Sequence, residues 1–424
     1  MGQVTYEEAC EYILDIPKFA GKHTLADTKE MLGRLTGSRI ESKIIHVAGT
    51  NGKGSVCAYL QSILRTAGFH VGMFISPHLE TMRERILYDG EMIPQESFVK
   101  TFELVREESD RQKEKHPSFF EFLFLIGMCY FKEKEPDYII LETGLGGRLD
   151  ATNCIAKPKL CVITEIGFDH MQYLGNTIEE IAGEKAGIIV PGVPVIYDGN
   201  DQKAAKVIRE RAQELNSPCY EVTREDTEII RNTCSGIDFS FKNEYYGNTV
   251  FSIPFIALYQ VMNSSLALKT MEILKEEIPV SAEAVKKGLI ETRWQGRMET
   301  VLPGVIVDGA HNEDGVARFV ETAAHFQKDY PLTLLFSAVD DKDYTDMIRT
   351  ILDKIQFRHV VVTQVGGYRK VPAEQLAEIF KENGCTSAEV CEDAEEAFRK
   401  ALSEKGDDGL LFCVGSLYLV GEIK

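Results

Sequence analysis

The chain has 424 residues, enough for more than one domain, and its 44% hydrophobic and 27% charged residues fit a soluble globular protein of enzyme size rather than a fibrous or disordered one. Lys+Arg 47 against Asp+Glu 66 leaves a formal net charge of -19, which argues against a nucleic-acid backbone or an anionic membrane surface as partner. An anionic small substrate would need a locally basic site working against that field.

In chain order, the start is polar and acidic with no secretory leader, and Tyr6 stands where a myristoylation motif needs Ser or Thr. Thr5-x-x-Glu8 is a capping box that opens a first helix, with Ala9, Tyr12, Ile13 and Ile16 along one side. A strand over 43–47 runs into Gly49-Thr50-Asn51-Gly52-Lys53-Gly54-Ser55. A helix follows, with Val56, Tyr59, Leu60, Ile63 and Leu64 at i, i+3, i+4 spacing until Gly68. Further strands are expected at 71–75, 138–142, 160–164 and 194–197. The most apolar stretch, 119–131, is broken by Glu121 and is shorter than the ~20 residues of a membrane span. Thr177-x-x-Glu180 caps a helix that carries Lys185, and 223–255 reads as a small antiparallel sheet.

The chain changes character near 292–297, a polar stretch holding the only Trp. Beyond it, strands at 305–308, 332–336, 359–363 and 410–414 alternate with helices opening near Asn312, Tyr344, Pro372 and Ala394. The alternation predicts an α/β protein: a P-loop-containing ATPase domain with a mostly parallel sheet over 1–295, plus a smaller C-terminal Rossmann-like α/β domain over 296–424. Ten cysteines with no CxxC pair read as reduced thiols of a cytoplasmic protein.

The strand, glycine loop and helix at 43–64 stand in the order that a phosphate-binding loop requires. Glycines let backbone N–H groups turn inward, the helix N-terminus adds its positive end, and Lys53 reaches terminal phosphates. The spacing is unusual: Val47, not Gly, stands five residues before Gly52, and Gly54 separates Lys53 from Ser55. Glu142 ends an apolar strand, at the carboxyl edge where ligands of α/β sheets bind. Taken alone, Ser76-Pro77 reads as a turn, His170 beside Asp169 as a satisfied polar residue, and Lys185 beside Glu179, Glu180 and Glu184 as a solvated lysine. Phe119, Phe120 and Phe122 read as core, whereas Glu121 among them needs a partner.

Taken together, these segments resemble the Mur ligase family, and the loop with Gly after Lys resembles its folylpolyglutamate synthase and dihydrofolate synthase branch. The agreeing segments run from Gly49–Ser55 through Ser76-Pro77-His78, the stretch 142–153, Phe168-Asp169-His170, 184–188, Tyr259-Gln-x-x-Asn263, Gly296-Arg297, 308–312, 341–343 and 415–418. The resemblance implies ATP-dependent phosphorylation of a substrate carboxylate to an acyl phosphate, attack by the amine of L-glutamate, and loss of phosphate as the amide forms. It also implies Mg²⁺, two ions, because a carboxylate is pressed against a triphosphate.

By the same resemblance, Lys53, Lys185, His170 and Glu142 are catalytic. ATP meets Thr50, Asn51, Gly52, Lys53, Gly54, Ser55 and Asn263, and from the second domain Arg297, Asp308 and His311, with Lys342 facing the same site. Mg²⁺ is held by Ser76, Glu142, His170 and, once carbamylated to N6-carboxylysine, Lys185. The pterin of the folate meets Phe120, Glu121, Arg148, Leu149, Asp150 and Ala151. Read from the residues, Arg83 and Arg85 are candidates for steering the polyanionic substrate, and equally for solvated charges. Partners are then small molecules (reduced folate or dihydropteroate, and L-glutamate), with no nucleic acid and no membrane, and the chain reads as a monomer. Three alternatives remain: another Mur-family amide ligase, disfavoured because the family's uridine-nucleotide domain would precede a loop that starts here at Gly49; a P-loop kinase or NTPase; and a non-catalytic binding protein.

Overall fold

The computed structural model describes residues 4–17, 23–37, 40–111, 115–155, 157–277, 280–296, 298–310, 313–340, 343–366 and 370–423. Two compact units divide the chain: Met1–Glu228 with Phe241–Phe251 and Met262–Thr292, and Ile229–Ser240 with Ser252–Val261 and Arg293–Lys424. The second unit therefore takes two segments from ahead of residue 295, where a single border at 295/296 was the expectation.

The first unit holds an eight-stranded sheet built from β1 (Lys43–Ala48), β2 (Val71–Phe74), β3 (Ile86–Tyr88), β4 (Glu91–Met92), β5 (Tyr138–Glu142), β6 (Leu160–Ile163), β7 (Val195–Asp198) and β8 (Cys219–Val222). Their order is β4-β3-β2-β5-β1-β6-β7-β8. The six strands from β2 to β8 in that order run parallel, while β3 and β4 turn back antiparallel at one edge. The inner strands are apolar runs, as burial on both faces requires. Ile139 and Leu141 of β5 pack with Phe74 against the helix Phe119–Lys134, whose apolar stretch is thus core. On the other face Cys161, Ile163 and Val195 meet Ile181, Ala182 and Ala186 of the helix Ile178–Ala186.

A three-stranded sheet, β9 (Thr227–Thr233), β10 (Gly236–Phe241) and β11 (Val250–Ile253), lies where a small sheet was expected. The second unit's main sheet has six strands: β12 (Glu299–Leu302), β13 (Val305–Asp308), β14 (Leu332–Phe336), β15 (His359–Val362), β16 (Ala388–Val390) and β17 (Leu410–Val414), in the order β12-β13-β17-β14-β15-β16. Only β12 is antiparallel. Period-two alternation splits its core: Ile306, Leu334 and Phe412 face the helices Glu313–Phe326 and Tyr344–Leu352, whereas Val305, Val307 and Leu411 face Ala394–Lys405. The expected strands and helices recur within a residue or two, and β3, β4, β8, β12 and β16 add strands at or near the sheet edges that the sequence reading lacked. All ten cysteines are free thiols. Among the described residues no helix is long and apolar enough to cross a membrane.

Candidate active site

At the carboxyl end of β1 the chain turns through Gly49 (φ +150°) and Gly52 (φ +86°) into the helix Lys53–Thr66. Both conformations favour glycine, and both positions lack room for a side chain. A Cβ would lie 1.8 Å from Thr164 Oγ1 at Gly49 and 2.2 Å from Asn263 Oδ1 at Gly52. Asn263 is thereby seated on the loop and buried. The loop is pinned from beyond β6: Thr50 N and Asn51 N donate to Glu165 O (2.8 and 3.3 Å), Thr164 Oγ1 donates to Asn51 O (2.6 Å), and Thr50 Oγ1 donates to Gly167 O (3.1 Å). Gly52 leaves the helix with no side-chain cap, in contrast to the helices begun by Thr5, Thr24 and Thr177. The first-turn amides, at Gly54 and the buried Ser55 among them, thus form a positive end suited to phosphate. Lys53 Nζ lies folded back on the carbonyls of Gly49 (3.0 Å) and Thr50 (3.1 Å).

Lys185 reaches the same carbonyl. Its Nζ donates to Gly49 O at 2.6 Å, and the residue is only 4% exposed. Burial pulls its pKa down to about 7, the charge on Lys53 pulls the same way, and Asp169 and Asp150 oppose them. The solvated-lysine reading is therefore wrong. Lys185 lies on the buried stripe of its own helix with Ile181, Ala182 and Ala186.

The glycine-rich turn after β5 packs on the end of that helix. Arg148 N donates to Glu184 O (2.8 Å), and its guanidinium, more than half exposed, pairs with Glu184 Oε1 (2.8 Å). Asp150 is buried and faces inward. Its Oδ2 accepts from Gly144 N (2.8 Å) and Leu145 N (3.0 Å), and its Oδ1 from Thr152 N (3.0 Å) and Thr152 Oγ1 (2.5 Å). Thr152 Oγ1 in turn lies 2.8 Å from Nε2 of the buried His46. The hydroxyl proton goes to Asp150, so His46 donates, and burial holds that imidazole neutral with a pKa of about 4. Leu149 beside it is exposed and Ala151 is buried.

Glu142, at the end of β5, is 3% exposed, and its Oε2 accepts from Ser76 N at 2.9 Å. Phe120 covers Gly144, where a Cβ would lie 2.6 Å from its ring. Glu121 has the partner that it needed: Ser118 N donates to its Oε2 at 2.7 Å in a capping box, so it serves its helix start. Arg83 is half-buried, with Nε donating to Ile93 O (2.6 Å). His170 caps the short helix Met171–Leu174 in a left-handed conformation (φ +48°) and is exposed; its ring lies 3.7 Å from Asp169 Oδ2.

In the second unit Asp308 ends β13 and is 4% exposed. Its Oδ2 accepts from Met298 N (2.8 Å) and, at 3.5 Å, from the Tyr259 hydroxyl, and its Oδ1 from Ala310 N (2.8 Å). Gly309 N donates to Gly296 O (2.8 Å). Asp308 holds Met298, and Gly309 holds Gly296. Arg297, His311 and Lys342 lie outside the described residues.

Two family models match the chain: the Mur ligase middle domain at residues 47–271 and the Mur ligase glutamate ligase domain at residues 296–417. The dihydrofolate synthase/folylpolyglutamate synthase of Bacillus subtilis (strain 168) is 36% identical over 434 residues, which cover 99% of this chain and 98% of that one. The chain belongs to the folylpolyglutamate synthase/dihydrofolate synthase branch of the Mur ligase family. The crystal structure of folylpolyglutamate synthase from Thermotoga maritima is similar with a TM-score of 0.84 and 32% identity, covering 99% of this chain and 95% of that one. E. coli FolC in complex with DHPP and ADP is similar with a TM-score of 0.82 and 25% identity, covering 100% and 98%.

For this Mur ligase, Glu142 and Ser76 are brought together by a backbone bond and offer hard oxygens, a donor set that fits Mg²⁺. Among the described residues no three His, Cys, Asp or Glu side chains gather as a metal cluster. Mg²⁺ keeps several waters and needs few protein ligands, so the absence of such a cluster does not conflict with the fit. His46, Thr152 and Thr164 were missed as supports of the site. The alternation of β1, which turns His46 inward with Ile44, was the available signal for the first.

Proposed function

We propose that this chain is an ATP-dependent ligase that joins L-glutamate to a folate through an acyl phosphate. The observation that carries the reading is the convergence of Lys53 and the buried Lys185 on the Gly49 carbonyl, at an uncapped helix N-terminus on the strand beside Glu142. In this reading the amides at 52–55 and Lys53 hold the β- and γ-phosphates of ATP, and Asn263 holds the loop against them. The substrate carboxylate attacks the γ-phosphorus and ADP leaves. The amine of L-glutamate then attacks the acyl carbon, the C–O bond to phosphate breaks, and the amine's proton passes to solvent. Mg²⁺ on Glu142 and Ser76 would supply the positive charge that lets the carboxylate approach the triphosphate.

Lys185 has the properties that carbamylation requires. With a pKa of about 7 it is substantially neutral near that pH. A neutral amine adds CO₂ to give an N-carboxylate and a proton, which turns repulsion from Lys53 into attraction and supplies oxygen ligands for a second Mg²⁺. His170 serves as a further ligand in this proposal. Phe120, Leu149 and Ala151 form the pterin contact, while the saturated Asp150 holds the turn and Arg148 ties it to Glu184. The reading places the enzyme in the cytoplasm, consistent with its free thiols, as a monomer, with an ATP-binding part over 1–295 and a glutamate-ligase part over 296–424.

The test is phosphate release by the purified protein with ATP, Mg²⁺, L-glutamate and either dihydropteroate or tetrahydrofolate, each omitted in turn. Release should need every component, and the two acceptors assign one activity or both. Release that ignores glutamate and folate would instead assign a kinase or simple NTPase.

A further inference from the structure

Arg85 is a buried cation that the protein leaves without a bonded counter-charge. It ends the turn Met82–Arg85 ahead of β3 and is 8% exposed. Its carbonyl accepts from Ile75 N at 3.0 Å, next to Ser76 in the chain. Of its five N–H groups one is engaged: Nε donates to His78 Nδ1 at 2.7 Å. That acceptor is no counter-ion. An Nδ1 that accepts the Arg85 N–H carries no proton, so the imidazole is neutral. The guanidinium carbon lies 5.4 Å from the centroid of the Phe119 ring.

The carboxylates whose charge reaches Arg85 are Glu142 and Glu84, and each is turned to other donors. Glu84 takes the N–H groups of Leu79 (2.6 Å), Glu80 (2.8 Å) and Thr81 (2.6 Å), and Glu142 takes that of Ser76. Burial consequently pulls the Arg85 pKa down to about 10 in spite of both carboxylates. Other arginines, such as Arg148 and Arg231, lie 2.8 and 2.7 Å from a carboxylate oxygen. The Arg85 terminal nitrogens have no hydrogen-bond partner among the described residues, yet they are not among the sealed polar atoms, so they open on accessible space.

A planar, fixed, unpaired fork over an aromatic ring suits a planar oxyanion held through two parallel N–H···O bonds. Phosphate has its own receptor at Lys53 and the uncapped helix. We infer that Arg85, aimed by His78, is the receptor for a carboxylate of the folate-class acceptor and positions that acceptor beside Glu142. This rests on the ligase reading above.

The experiment measures KM separately for acceptor, ATP and L-glutamate in Arg85→Lys, Arg85→Ala and His78→Ala. Arg85→Ala should raise KM for the acceptor by about 30-fold or more, as expected when one partner of a buried charged pair is removed, and leave KM for ATP within about two-fold. Millimolar guanidinium ion should restore part of the loss, Arg85→Lys should recover part because it keeps charge but not the fork, and His78→Ala should show a smaller rise. On the wild-type protein, a folate acceptor but not ADP should protect Arg85 from phenylglyoxal, read by peptide mass. Protection by ADP, an equal rise in KM for ATP, or an unchanged acceptor KM would overturn the inference. A wild-type protein that glutamylates no folate would sink the ligase reading instead, whereas normal wild-type turnover with an indifferent Arg85 sinks this inference alone.

Discussion

Asp308 and Lys185 are buried equally deeply, 4% exposed each, and both stand where a parallel sheet meets its loops, yet the chain treats their charges in opposite ways. Asp308 is met by the backbone N–H groups of Met298 and Ala310 and by the Tyr259 hydroxyl. Lys185 meets one neutral carbonyl and, behind it, the like charge of Lys53. Arg85 repeats that pattern with a neutral imidazole. A satisfied buried charge organises its own neighbourhood and asks for nothing more. An unsatisfied one costs stability that an incoming anion recovers, and such groups gather where ligands bind. Lys185 and Arg85 of the first unit are therefore the groups to test for a ligand, whereas Asp308 holds the backbone at Met298 and Ala310.

The largest expected effect tests that contrast directly. Lys185→Ala should cut ligation by about 100-fold or more, the scale of losing a group that stabilises developing charge, and a short carboxylic acid should restore part of it. The pH dependence follows from the direction of the shift. A lysine whose pKa falls from 10.5 to about 7 is increasingly neutral as pH rises from 6 to 8, so activation by bicarbonate should grow over that window and vanish in the variant. The folded protein also binds fewer protons here than the unfolded chain between about pH 7 and 10.5, so this group's contribution to stability rises with pH there. Titrating activity against bicarbonate at fixed pH checks the first point, and a melting curve against pH checks the second. An active Lys185→Ala with no bicarbonate response would erase the distinction from Asp308.

Glu142→Gln is next in size. It keeps volume and the acceptor for Ser76 N but removes the charge proposed above to anchor Mg²⁺. The Mg²⁺ needed for half-maximal rate should rise, and the rate should fall roughly ten-fold or more. An unchanged Mg²⁺ titration would make Glu142 another scaffold carboxylate like Asp308.

The parallel strands were legible because burial on both faces writes long apolar runs, and the loop at 49–55 was legible because glycines and Lys53 stand between a strand and a helix. The edges were not. β3 and β4 are three and two residues long, too short for any periodicity to show. Lys185 was misread by weighing its acidic neighbours in sequence, although its spacing from Ile181 already placed it on the helix's apolar stripe. Asp150 was read as a pterin contact because nothing in a sequence tells whether a turn aspartate faces out or accepts from its own backbone. The sequence also leaves open how deep an arginine lies: Arg83 and Arg85 look alike on paper, and only the second is buried.

Glu121 offers the smallest and most discriminating test, because its two readings predict different observables. Ser118-x-x-Glu121 repeats the spacing of Thr5-x-x-Glu8 and Thr177-x-x-Glu180, and all three close as capping boxes. If Glu121 is a cap, Glu121→Ala should lower stability by about 0.5–2 kcal/mol and leave KM for the folate acceptor within about two-fold. Glu121→Gln should lose little, since the amide oxygen still accepts from Ser118 N. Its position sharpens the test: the same helix start carries Phe119 beneath Arg85 and Phe120 over Gly144. A frayed first turn would disturb both rings together, so any rise in acceptor KM should track the loss of melting temperature and be recovered in Glu121→Gln. A rise in KM at unchanged melting temperature would instead mean that the carboxylate touches the pterin, and Glu121 would move from the scaffold of the site to its binding surface.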